Sequence, residues 1–463
     1  MKNLLEIATS DQNNSYLRNH DILIEGNRIK TIGKNLEAKV DLEIDGKTMV
    51  ALPGMVNTHH HLYQTLFRNL PLVQNVSLFD WLINLYEGWR YITPEAVHNA
   101  ALTGLGELLL TGCTLASDHH YLFPQGYGQE MLAAEIEAAR QLGIRFYPTR
   151  GSMSRGKSKG GLPPDDVVQS EDVILQQSEA FINQYHNPNP GAMTRVALAP
   201  CSPFSVTAEL LSESAKLARK HNVRLHTHLA ETKDEEQFCL QKEKMRPLEF
   251  MESVDWLGDD VWYAHGIWFN EEEIKKLGKT GTGVAHCPSS NMRLGSGICH
   301  INELRKVGAP VGLAVDGSAS NDSSDMLAEA RQALLLHRIG KHGVSATNVP
   351  MIIDMATCGG AKVLGWEDET GSLAPGYLAD LALFDLNDIA YAGSLHDPSA
   401  ALLFNMGRRR AAYVFVDGKM VVKEGELVNV DEKLVVEKQN KIAAELVDKA
   451  KGDVDLLAKN LGR

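Results

Sequence analysis

Cysteine is scarce and scattered. The six residues (Cys113, Cys201, Cys239, Cys287, Cys299 and Cys358) form no C-x-x-C pair. That spacing argues against a disulfide frame or a thiolate metal site and fits free thiols in a reducing cytoplasm. Long apolar runs are missing as well. No stretch approaches the ~18 apolar residues of a membrane span, so no membrane association is expected. The start, MKNLLEIATS, shows neither a long apolar region nor a cleavage signal, which makes the cytoplasm the expected location. Positive charge is in deficit, with 46 Lys and Arg against 59 Asp and Glu and a net charge of −13. A nucleic-acid groove is therefore not expected. What remains is an ordinary globular composition, 44% apolar and 23% charged over 463 residues, long enough for two or three domains or one large barrel with additions.

Both ends of the chain look β-rich. DILIEGNRIKTIG alternates around a turn at Glu25-Gly26-Asn27, and DLEIDGKTMVALPG repeats the style around Asp45-Gly46. GSLAPGYLADLALFDL and AAYVFVDGKMVVKEGELV, with a turn at Asp417-Gly418, have the same texture. These segments predict one small β-sandwich domain built from both termini. Residues 431–463 carry helical spacing and charge, predicting a closing helical tail.

Between the ends, strand-length apolar runs recur, each followed by polar residues and then a helix-like stretch. In order they are MVNTHHH, TLASDHHY, IRFYPTRGS, RVALAPCSPF, RLHTHLAE, VWYAHGI, GVAHCPSS and VGLAVDGSAS. Helical periodicity fills the gaps, as in PEAVHNAALTGLGELLL and QEMLAAEIEAARQLG. Eight strand–helix units predict an α/β fold, a (β/α)8 TIM-type barrel. The expected division is 1–52 and 367–430 for the sandwich, 53–366 for the barrel and 431–463 for the tail.

Histidines gather where the predicted strands end. Residues two apart on a strand share a face, so His59 and His61 can converge on one ion while His60 points away. His226 and His228 repeat that spacing, and His265, His286 and Asp316 lie at later strand ends. Barrels place active sites at these C-terminal ends, and imidazole with carboxylate suits Zn²⁺ or Fe²⁺. A lone histidine there is usually a core or loop residue; a repeated, ordered set points to a metal site.

Taken in order and spacing, PGMVNTHHH, HTHLAET, YAHG, AHCPSSN and LAVDGSASND resemble the amidohydrolase superfamily, and within it the branch of nucleobase and related aminohydrolases. The resemblance spans nearly the whole chain except the tail. It implies that His59, His61, His228 and Asp316 hold one divalent metal, zinc or alternatively ferrous iron. Glu231 matches a proton-shuttling carboxylate, and His265 matches a histidine that contacts the metal-bound water. Asp316 would act with His265 in accepting or orienting the water's proton. RVALAPCSPF offers no lysine for a carboxylated bridge, so a mononuclear site is implied. His226 and His60 are expected to support rather than ligate.

The resemblance also implies a substrate and partners. Gln64 matches a glutamine that hydrogen-bonds a purine, and an amide both donates and accepts. The stretches DHHYLFP and TRGSMS…GGLPPDD look most like the 8-oxoguanine deaminase group, which converts 8-oxoguanine to urate plus ammonia. Isoxanthopterin, guanine and hydroxytriazine aminohydrolases stand close by. Plain guanine is disfavoured because Cys201 stands in APCSPF where guanine deaminases carry an arginine. Arg150 either binds a ring oxygen or pairs with an acid such as Asp118; His119, His120 and Tyr121 either meet the substrate or only order their loop. A small heterocycle, water and further copies of the same chain are the expected partners.

Two motifs point elsewhere. GSMSRGKS (151–158) fits the P-loop of nucleotide hydrolases, but KGGLPPDD would break the helix that such a loop requires. GKSKG (156–160) fits G-x-S-x-G without the strand–turn–helix context. A purely structural metal would favour a closed set with cysteine, which this chain does not supply at these positions.

Overall fold

The computed structural model describes residues 1–11, 15–124, 126–405 and 407–459. Eight parallel strands form one sheet in sequential order. They are β1 (Met55–Asn57), β2 (Cys113–His120), β3 (Arg145–Ser152), β4 (Ala197–Pro200), β5 (Arg224–Leu229), β6 (Val261–His265), β7 (Gly283–His286) and β8 (Val311–Leu313). Each coincides with one of the eight runs read from the sequence. The sheet curls until its edges meet. Thr58 N–H donates to Leu313 C=O at 3.1 Å, and Asp316 N–H donates to His59 C=O at 3.1 Å. The result is a nearly closed barrel.

Bulky residues fill the barrel beneath the histidines. Tyr147 stacks on Trp262 at 5.8 Å, and Trp262 stacks on His226 at 4.4 Å. The Trp262 indole N–H donates to Thr58 C=O at 3.1 Å, tying the plug to the start of the first βα loop. The floor of the site is thus packed and rigid rather than open.

The termini build the second sheet. Seven strands run in the order Glu426–Leu427, Lys419–Lys423, Tyr413–Val416, Leu381–Asp385, Met49–Pro53, Glu6–Ala8 and Tyr16–Leu17. Period-two alternation divides its faces. Val50, Leu52, Ala382, Phe384 and Val414 turn toward the main core, while Ala51, Leu381, Leu383 and Phe415 pack with Ile22 and Ile29 of the Asp21–Glu25/Arg28–Gly33 hairpin. Two of the three predicted turns close hairpins: Glu25 pairs with Arg28 and Val416 with Lys419. One expectation fails. Residues 41–44, before Asp45-Gly46, form no strand, and Asp45 makes only an isolated bridge to Lys2. Hydrophobic alternation in DLEI was too short to fix a ladder.

A buried ion pair joins the two units. Arg145 on β3 donates from Nε to Asp380 Oδ2 at 3.0 Å and from Nη2 to Asp380 Oδ1 at 3.2 Å, with both side chains fully buried. The tail helix, Glu432–Ala450, is capped by Asp431 and lies against Leu78–Trp89 and Pro94–Leu110. Its Gln439 amide donates to Thr65 Oγ1 at 3.0 Å and accepts from Asn99 Nδ2 at 2.7 Å. The tail therefore buttresses the segment that follows the histidine triplet. Helical structure stops at Ala450, short of the expected length, and residues 460–463 lie outside the described ones. Among the described residues, no helix is long and apolar enough to cross a membrane.

The P-loop reading finds no helix to support it. At the Lys-Ser of the motif the chain makes a short turn, Lys157–Lys159, the next α-helix starts only at Glu171, and Lys157 pairs with Glu87 at 2.9 Å.

Candidate metal centre and active site

His59, His61, His228 and Asp316 converge at the C-terminal mouth of the barrel. His61 Nε2 lies 3.0 Å from His228 Nε2, and Asp316 Oδ1 lies 3.2 Å from His59 Nε2 and 3.3 Å from His61 Nε2. Hydrogen bonds fix which nitrogen of each ring carries its proton. His61 Nδ1 donates to His119 C=O at 2.8 Å, and His228 Nδ1 donates to Cys201 C=O at 2.6 Å. His226 Nδ1 donates to Trp262 C=O at 2.9 Å, which leaves His226 Nε2 to accept from His59 Nδ1 at 2.7 Å. Burial holds all four imidazoles neutral, and His226 falls to about 3.

Three Nε2 lone pairs and one carboxylate oxygen therefore face a common point, and His59 Nε2 has no hydrogen-bond partner there. Lone pairs so close repel unless a cation lies among them. Three imidazoles and one carboxylate are the donor chemistry of a divalent transition metal, so the residues fit such an ion. His60 points away, as expected, toward Ser324 Oγ at 2.9 Å.

Outer partners orient this set. Asp316 Oδ2 accepts from Ser290 Oγ at 2.6 Å and Ser320 Oγ at 3.2 Å, which leaves Oδ1 for the centre. His119 stacks on His228, with centroids 4.8 Å apart. Such partners set ring direction and ligand basicity. Replacing His226 by Ala removes the acceptor for His59 Nδ1–H, and zinc affinity is expected to fall by about 10- to 100-fold. Competition against a chelating dye measures it, and unchanged affinity would deny His226 its supporting role.

Glu231 and His265 stand beside the donor set. Their Oε2 and Nε2 atoms are 3.5 Å apart, and His265 Nδ1 donates to Asn291 Oδ1 at 2.9 Å. Burial pushes the Glu231 carboxyl up to about 7. Burial opposes charge on His265 too, but the carboxylates of Glu231 and Asp316 hold it above its usual range. The backbone here is strained, with positive φ at Ala230 (55°), His265 (72°) and Asp316 (62°). Each such residue costs about 1–3 kcal/mol, and surrounding bonds must hold it. Glu235 supplies two of them, its carboxylate accepting from Ala230 N–H at 2.8 Å and Glu231 N–H at 2.9 Å.

A cavity opens onto these groups. Gln64, Tyr121, Cys201, Glu231, His265, Asp316 and Ser320 line it with Leu78, Trp81, Leu82, Tyr86, Phe204 and Leu294. Its walls, aromatic and aliphatic with a few polar groups, suit a small planar heterocycle. Cys201 brings no positive charge, its thiol pushed up to about 12 by burial.

Two expected substrate contacts are misplaced. His120 does not line the cavity; it faces helix Gln129–Leu142, with Nδ1 2.8 Å from Glu135 Oε1 and Nε2 2.8 Å from Leu122 O. Arg150 is absent from the lining as well. It donates to Gln169 Oε1 at 2.6 Å, Gln177 Oε1 at 2.9 Å and Gly151 C=O, with its guanidinium over Phe123. The pairing with Asp118 is not seen either. Asp118 instead accepts Leu62 N–H at 2.7 Å.

The sequence profile of the Amidohydrolase family matches residues 50–421. The chain belongs to the amidohydrolase family. It is 50% identical over 407 residues to 8-oxoguanine deaminase of Pseudomonas aeruginosa, covering 88% of this chain and 89% of that relative. It is 35% identical over 444 residues to isoxanthopterin deaminase of an unknown prokaryotic organism, covering 92% of each. The crystal structure of atrazine chlorohydrolase from Arthrobacter aurescens TC1 complexed with zinc superposes with a TM-score of 0.91 at 35% identity, over 96% of this chain and 99% of that one. Membership in the amidohydrolase family makes this chain a hydrolase with a barrel-borne site.

Proposed function

We propose that this chain is a metal-dependent hydrolytic deaminase of an oxidised purine, converting 8-oxoguanine to urate plus ammonia. The observation that carries the reading is the meeting of three imidazole lone pairs and Asp316 Oδ1 with the buried Glu231 carboxyl at a cavity of mixed apolar and polar walls. The 50% identity to an 8-oxoguanine deaminase supports this choice of base.

His59, His61, His228 and Asp316 would hold the ion, with zinc preferred because a zinc-complexed neighbour shares the fold. When bound, a divalent ion supplies Lewis acidity that makes water nucleophilic at neutral pH. His265, aimed by Asn291, orients the attacking water from Nε2 and with Asp316 takes up its proton. Glu231, with a carboxyl that exchanges protons near pH 7, protonates the ring nitrogen beside the carbon under attack and helps deliver a proton to the departing amine. Gln64 and Tyr121 contact the ring. The side chains of Trp81, Tyr86 and Phe204 exclude bulk water.

The division into 1–52, 53–366, 367–430 and 431–463, assembly into a homo-oligomer and residence in the cytoplasm belong to the same reading. Ammonia release from zinc-loaded protein supplied with 8-oxoguanine tests it.

A further inference from the structure

We propose that Gly317 is a specificity-determining position. Its missing side chain seats the Gln64 amide in the cavity, and that amide selects rings bearing adjacent C=O and N–H groups. The inference rests on the reading of the site as a lactam aminohydrolase.

Gly317 has no positive φ, so its backbone does not demand glycine. Space does. A Cβ at this position would lie 1.9 Å from Gln64 Oε1, 2.4 Å from its Cδ and 2.9 Å from its Nε2. No other atom comes as near, so the conflict falls on the movable end of one side chain. An alanine here is expected to fold and to displace the amide.

Both partners are tied to the donor set. Gln64 lies three residues past His61, with its N–H donating to His61 C=O at 3.0 Å. Gly317 follows Asp316, and its carbonyl accepts from Ser320 N–H and Asn321 N–H at 3.0 Å each. The amide is therefore held at a set position relative to the reacting centre. Gln64 is 1% exposed, and its Oε1 is buried without a hydrogen-bond donor. A buried acceptor left unpaired is costly, and a ring N–H would satisfy it while the amide N–H meets the neighbouring carbonyl. An amidine ring without that pair leaves the cost in place.

The test is a double-mutant cycle on zinc-loaded protein, joined to a crystal structure of Gly317→Ala. Gly317→Ala and Gln64→Ala are each expected to lower kcat/KM for 8-oxoguanine by about 10- to 100-fold, mostly through KM, with zinc content unchanged. The double variant should be no worse than Gln64→Ala by more than about 2-fold, because Gly317 acts through Gln64. In the crystal, the Gln64 amide should have left its wild-type position. An unmoved amide, or losses that simply add, overturns the proposal. Wild-type protein that releases no ammonia sinks the functional reading instead, while the position of the amide still decides the role of Gly317.

Discussion

Replacing Glu231 by Gln is expected to lower kcat by about 100- to 10,000-fold, the range a positioned general acid–base supplies. Gln is nearly isosteric and keeps the hydrogen-bonding shape of the side chain, so the Ala230–Glu231 backbone bonds to Glu235 should survive. What disappears is the exchangeable proton. Glu231 is outside the set formed by His59, His61, His228 and Asp316, so zinc content should match the wild type. The substrate should still bind, because the aromatic wall and Gln64 are untouched. Burial also explains why this carboxyl is suited to proton transfer. An exposed glutamate near pH 4.3 would be almost wholly ionised at neutrality, whereas one near 7 spends comparable time in each state. Near-normal turnover in Glu231→Gln, with metal bound, would remove Glu231 from the chemistry.

Removing the metal is expected to have an effect at least in the upper part of that range. Dialysis against a chelator should lower activity by about 1,000-fold or more, since Lewis-acid activation is worth several kcal/mol. Activity should return with zinc. Asp316→Asn should resist that rescue, because it removes the one anionic donor while keeping the shape that Ser290 and Ser320 hold. The fold should persist without the ion, since the barrel interior is packed by Tyr147, Trp262 and their neighbours rather than organised around the metal. Far-ultraviolet circular dichroism of the chelated protein checks this. Full activity in protein shown free of metal would refute the role assigned to the four donors.

Much of this site is legible in the sequence because strand periodicity carries direct geometric information. His59 and His61 share a face in any strand, and a barrel strand ends at the active-site mouth. The same periodicity could have warned against naming His120 and Tyr121 together. Residues 119 and 121 must oppose 118 and 120, and the structure turns His119 and Tyr121 to the site while His120 meets Glu135. Which pair faces inward depends on register, and a strand read alone does not contain it. Arg150 fails for the same reason, since it pairs in register with His120 and shares its outward face. By spacing His226 shares a face with His228, and its supporting role depends on a hydrogen bond to Trp262 C=O that only three dimensions reveal. Helix Leu78–Trp89 escapes the sequence reading as a wall of the site. Its Leu78, Trp81, Leu82 and Tyr86 have helical spacing, yet an apolar stripe looks the same facing a core or a substrate.

The central claim is that this barrel deaminates an oxidised purine. Ammonia release from zinc-loaded protein, with 8-oxoguanine, guanine and isoxanthopterin supplied in parallel, tests it most directly. The expected result is fast release from 8-oxoguanine, with urate as the second product and slower release from the other two. Rapid turnover of a different lactam would leave the metal chemistry standing and replace the substrate. Silence with all three, in protein shown to hold its metal, would contradict the claim.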